Sequence, residues 1–121
     1  EVQGIALPLR HDQGPLGAAA WLSPRVTLTE PPEWEDRAVL RGRNTAIGRL
    51  EEVATGLGGS YTEITTARTI GGNEVLISVL VRTAKGRKGK DVDRFHFLVT
   101  IEHGLITAMR AFLSERAALA A

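Results

Sequence analysis

The sequence predicts an α+β domain in which helices pack on one side of a curved, mostly antiparallel sheet. Two observations carry this. Up to Gly59 the clearest apolar pattern has helical spacing, and from Ser60 onward the period changes to two. Short turn signals, GGN, KGRKGK and HG, then divide the second half into four strand-length runs.

Taken in order, residues 1–11, EVQGIALPLRH, read as a short helical segment that Pro8 would kink by removing a backbone donor. The next stretch, GPLGAAAWLSP, reads as a second helix. Pro15 suits a first helical turn, Ala18 to Leu22 form its packed part, and Pro24 ends it. A strand, RVTLTE, follows, and then a loop, PPEWEDRAV. The third and longest helix is GRNTAIGRLEEVATGLGG, with Asn44 as its cap, Ile47, Leu50, Ala54 and Leu57 at helical spacing, and Gly58 and Gly59 ending it. The four runs YTEITTARTI, EVLISVLVRTA, VDRFHFLVTIE and LITAMRAFL form an antiparallel meander, and SERAALAA closes the chain as a short helix or a frayed tail.

Both faces of this meander are apolar. Phe95, Phe97, Val99 and Ile101 alternate with His96, Leu98 and Thr100. A sheet with one wet face would alternate apolar and polar residues. One face is therefore expected on the helices, and the other on a second copy of the chain in a homodimer through the sheet.

With 121 residues the chain fits one domain, 1–121, long enough to bury a core without disulfides or a structural metal. The absence of cysteine excludes bridges and thiolate metal sites, and is compatible with a cytoplasmic location. Fifteen Lys and Arg against 14 Asp and Glu leave a net charge of +1, without the basic excess of a nucleic-acid-binding domain. No apolar run approaches a bilayer span, and no secretory leader pattern is present, so neither nucleic acid nor membrane is an expected partner.

Few residues suggest chemistry. In VTLTEPPEW, strand alternation puts Val26, Leu28 and Glu30 on one face, so that a carboxylate sits on the apolar side. Such a group is costly unless paired or protonated, and is suited to proton transfer; its alternative is a strand-end acid turning to solvent as the prolines redirect the chain. His96, set among Phe, Leu, Val and Thr, is either a proton carrier facing a cavity or a satisfied structural histidine. Trp21, Trp34, Met109 and Leu98 are candidates to line an apolar substrate pocket, or simply core. Tyr61, the only tyrosine, begins a strand and is either an oxyanion donor or an exposed edge residue, and KGRKGK at 85–90 reads as a solvated hairpin loop. The three histidines lack metal-ligand spacing, GLGGS lacks the context of a phosphate loop, and no serine elbow occurs.

The order of elements, together with VTLTEPP, RGRNTAIGRLEEV and HGLITAMRAFLSERAALAA, resembles the nuclear transport factor 2-like superfamily. Within it, the chain resembles the ketosteroid isomerase and SnoaL-like polyketide cyclase branch. The resemblance implies a cone-shaped sheet packed on about three helices, enclosing an apolar pocket. It places Glu30 on the isomerase's general base and His96, within about one residue, on its second acid. The oxyanion tyrosine has no counterpart near Ala6 and Leu7. The implied function is cofactor-independent acid/base catalysis, by isomerisation, cyclisation or epoxide opening, on a hydrophobic polyketide- or steroid-like small molecule. The alternative is a non-catalytic ligand-binding or dimerisation module. Epoxide-hydrolase members use paired carboxylates with an arginine, and strand parity turns the nearest second acid, Glu63, outward.

Overall fold

The computed structural model of the protein describes residues 21–84 and 86–121. Its elements are β1 (Leu22–Thr29), β2 (Val39–Arg41), α1 (Arg43–Gly56), β3 (Tyr61–Gly71), β4 (Glu74–Arg82), β5 (Asp91–Glu102), β6 (Leu105–Phe112) and α2 (Glu115–Ala120). The strands form one curved sheet in the order β2-β1-β6-β5-β4-β3. All neighbours are antiparallel except β1 and β6, which run parallel. The fold is α+β, as expected.

The meander agrees with the alternation in the sequence, its ends differing from the expected runs by one or two residues. At HG, both His103 (φ 53°) and Gly104 (φ 79°) have positive φ, the geometry a two-residue hairpin requires. The basic hairpin is held at its base, where Arg82 donates to the Gly89 carbonyl at 2.7 Å and to Asp91 at 3.1 Å, leaving Arg87, Lys88 and Lys90 exposed.

The first half departs more. The segment expected as a first helix, 1–11, and most of the second lie outside the described residues, so two helices rather than three are seen among them. Where the second helix was expected to reach Leu22, the chain is already in β1, which begins three residues before the expected strand. Pro24 does not end a helix. It sits in β1 where the pairing to β6 shifts between Leu22 and Thr27, a place where its missing N–H removes no ladder bond. The loop after Glu30 contains β2, which pairs with β1 through Thr27–Arg41, Leu28–Leu40 and Thr29–Val39. Three residues are too few to show a period, which is why the sequence hid this strand.

The N-cap of α1 is Gly42, not Asn44. Gly42 has φ 97° and donates its N–H to the Val26 carbonyl at 2.8 Å, so β2 pairing carries the chain directly into the helix, without a side-chain cap. Its end follows the expected glycines. Gly58 has φ 86°, and the N–H groups of Gly58 and Gly59 return to Thr55 and Ala54 at 2.9 Å, the Schellman arrangement.

Each sheet face has its own core. The concave face, covered by α1, gathers Val26, Leu28, Val75, Ile77, Val79, Val81, Phe95, Phe97, Val99, Ile106 and Met109. At roughly 1.5–3 kcal/mol for each large side chain removed from water, this is the main source of stability. On the convex face Leu76, Leu98 and Phe112 pack with Ala118 of α2, which Ser114 caps by accepting from the Ala117 N–H at 3.1 Å. Part of the apolar second face is thus covered by the chain's own C-terminal helix.

Candidate functional site

Glu30 stands one residue past β1, where alternation sends it to the same side as Val26 and Leu28. The backbone pins it. Its N–H donates to the Ala38 carbonyl at 3.0 Å, and its Oε1 accepts from the Ala38 N–H at 3.1 Å. Buried Pro31 follows, and its carbonyl accepts from the Trp34 N–H at 3.0 Å, forming the turn that brings Trp34 over the sheet. There the Trp34 ring meets Phe95 edge-on, with centroids 6.3 Å apart.

The partner of Glu30 is Arg49, on α1. Its Nε donates to Glu30 Oε2 in an ion pair. The two ends differ in their surroundings: the Glu30 side chain is 5% exposed and that of Arg49 is 37% exposed. The guanidinium lies 5.9 Å from the Trp34 ring centroid, and its Nη1 reaches Glu52 at 3.5 Å. The hydrogen bond to Glu30 is the main cause of a guanidinium pKa raised above its ordinary value, so Arg49 is charged throughout the working range of pH.

These groups border a cavity of about 50 Å³. Its walls are otherwise apolar, from Leu28, Pro31 and Trp34, from Leu50, Val53 and Ala54 of α1, and from Val79, Val81, Phe95, Phe97 and Ala111 of the sheet, with Thr62 on β3. An ion pair in an apolar cleft can hold a polar atom of a ligand and move a proton to or from it.

The residues singled out from sequence separate here. Glu30 and Trp34 line the cavity. Met109 is buried in the concave core, and Trp21 is half-buried against it, but neither reaches the cavity wall. His96 and Leu98 must be corrected as pocket residues. Phe95 and Phe97 face the cavity, so their neighbours in β5 face away, and Leu98 joins the convex cluster. His96 is a buried structural residue there, its Nδ1 2.9 Å from the Oγ of buried Ser78 on the next strand. Burial lowers its pKa, Glu115 acts in the opposite direction, and Arg94 lowers it further. Thr62 lines the cavity, which turns Glu63 to the other face.

Arg49 is the functional residue that sequence reasoning missed. Of the expected stripe, Ile47, Leu50 and Ala54 pack against the sheet core, joined by Ala46 and Val53, while Leu57 is exposed and Arg49 lines the cavity beside them. The available signal was an arginine three residues after Ala46 and four before Val53, on an otherwise apolar stripe. Among the described residues no group of three or more His, Asp or Glu is placed to hold a metal, and no helix is long and apolar enough to cross a membrane.

Solved structures with this architecture decide the fold. A SnoaL-like polyketide cyclase homologue from Jannaschia sp. CCS1 aligns with a TM-score of 0.55 at 18% identity, over 84% of this chain and 73% of that one. The fold is that of the nuclear transport factor 2-like proteins. A ketosteroid isomerase homologue from Kribbella flavida aligns with a TM-score of 0.55 at 19% identity, over 80% of this chain and 63% of that one. A de novo designed protein with a curved β-sheet aligns with a TM-score of 0.57 at 19% identity, over 85% of this chain and 74% of that one. No family model matches the sequence, and no curated protein matches it. A nuclear transport factor 2-like fold hosts catalysts and binding modules alike, so function rests on the site.

Proposed function

We propose that the chain is a cofactor-independent enzyme that uses Glu30 as a general base on a hydrophobic, polyketide- or steroid-like small molecule. The observation that carries this is a buried carboxylate opening onto an apolar cavity with a second polar group, Arg49, beside it. In the reaction the substrate C–H bond breaks, its electron pair moves toward an adjacent carbonyl, and the proton goes to Glu30 Oε2. Return of the proton at another carbon completes an isomerisation; in a cyclisation the carbanion attacks an internal carbonyl, and the alkoxide that forms takes the proton back from Glu30. Arg49, rather than His96, supplies the N–H groups that face the substrate. A polycyclic body needs a site of roughly 300 Å³ or more, so the turn carrying Trp34 must swing outward to admit one.

The test needs no knowledge of the natural substrate. Small hydrophobic ketones in D₂O, followed by NMR, should exchange their α-protons faster with the protein, and Glu30→Gln should lower that rate by roughly 10²–10⁴. Equal rates in the variant and the unaltered protein remove Glu30 from the mechanism. A second reading, a ligand-binding module without chemistry, is favoured by one observation: each Glu30 oxygen already holds a donor. It predicts ketone binding without exchange.

A further inference from the structure

If Glu30 is the base, as proposed above, the ion pair poses a problem. Oε1 is held by the Ala38 N–H and Oε2 by Arg49. Each oxygen thus has one of its two lone pairs taken. Oε2 is fully open to a substrate proton only once Arg49 has released it. A neutral carbonyl oxygen is a weak competitor, because it offers the guanidinium no negative charge in place of the one on Glu30. An oxyanion competes on equal terms.

Arg49 is placed to make that exchange. Its guanidinium is half-exposed at the cavity wall, its Nη1 is held only by a 3.5 Å contact to Glu52, and its Nη2 has no partner among the described residues. The outer, two-nitrogen edge therefore remains available for the paired oxygens of a carboxylate, the geometry guanidinium recognises best. The Trp34 ring beside it provides a surface along which the guanidinium can turn.

We infer that the site takes a substrate bearing a carboxylate next to its activated C–H bond, and that Arg49 passes from Glu30 to that carboxylate as the substrate seats. Glu30 is then a partly masked base: a neutral ketone reaches it slowly, and a ligand that can take its arginine uncovers it fully. The exposed acids of the adjoining loop, Glu33, Glu35 and Asp36, are screened by solvent and slow the approach of an anion more than they weaken its seated contact.

The experiment compares benzoate with its neutral isostere benzamide by isothermal titration calorimetry. Benzoate should bind at least about tenfold more tightly than benzamide. Glu30→Gln, which removes the internal competitor for Arg49, should tighten benzoate by a further factor of about ten. In the same Glu30→Gln background, Arg49→Met should abolish the preference without leaving a buried carboxylate unpaired. Equal affinity for the two probes, binding of neither, benzoate weakened by Glu30→Gln, or a preference that survives Arg49→Met would each overturn the inference. The exchange assay fails separately: a chain that prefers benzoate yet exchanges protons equally well as Glu30→Gln keeps the anion site and loses the base.

Discussion

Replacing Arg49 with methionine tests the ion pair at its sensitive end. The substitution keeps the length of the aliphatic stem, and with it contact to Trp34, but leaves the Glu30 side chain, 5% exposed in the unaltered protein, with only the Ala38 N–H on it. Breaking a fully buried pair costs roughly 3–5 kcal/mol, and losing a hydrogen bond to a charged group about 1.5–3 kcal/mol. Because the Arg49 side chain is 37% exposed, solvent already screens the pair, and the lower range applies. A destabilisation of about 2 kcal/mol lowers the Tm of a domain this size by roughly 8 °C. Glu30→Gln should cost less, below about 1 kcal/mol, because the arginine it leaves behind can hydrate and the amide oxygen still accepts from Ala38. The double variant should be more stable than Arg49→Met alone, because no buried charge is left unpaired. Thermal melts followed by circular dichroism for the three variants measure this asymmetry. Equal losses in the two single variants, or Arg49→Met melting with the unaltered protein, would refute the picture of a buried carboxylate dependent on its arginine.

Three further outcomes follow from other parts of the molecule. Burial lowers the His96 pKa, so between that value and the ordinary 6.5 the unfolded chain binds more protons than the folded one. This contribution is complete above about pH 6.5 and declines as pH falls toward the folded value, so His96→Gln should flatten the Tm-versus-pH curve on the acid side. A parallel offset of the two curves would show that His96 does not titrate differently on folding. A Cβ at Gly59 would press on Val81 Cγ1 and lie 3.2 Å from the Ala54 carbonyl oxygen and 3.3 Å from that of Arg82, so Gly59→Ala should cost roughly 1–3 kcal/mol in denaturant melts; an unchanged midpoint would contradict that packing. Ser114→Ala removes the cap of α2 and should cost about 1 kcal/mol while speeding amide exchange of 115–120, and exchange unaltered there would mean that packing alone holds the helix.

Where one chemical preference repeats along the chain, the sequence was sufficient. Alternation from Tyr61 to Phe112 gave the meander, the glycines at 58 and 59 gave the end of α1, and the parity of Val26, Leu28 and Glu30 put the acid on the core side. Parity also carried the warning about His96, since a face shared by Phe95 and Phe97 excludes the residue between them. Three things were decided only by tertiary contact. β2 forms because β1 is there to pair with it. Pro24 is tolerated in a strand because the ladder slips beside it. Above all, the partner of Glu30 lies 19 residues away, on a helix whose rotation is set by how Ala46 and Val53 pack against the sheet. Local sequence records that Glu30 needs a counterion; only the packing of α1 across the concave face selects Arg49 for it.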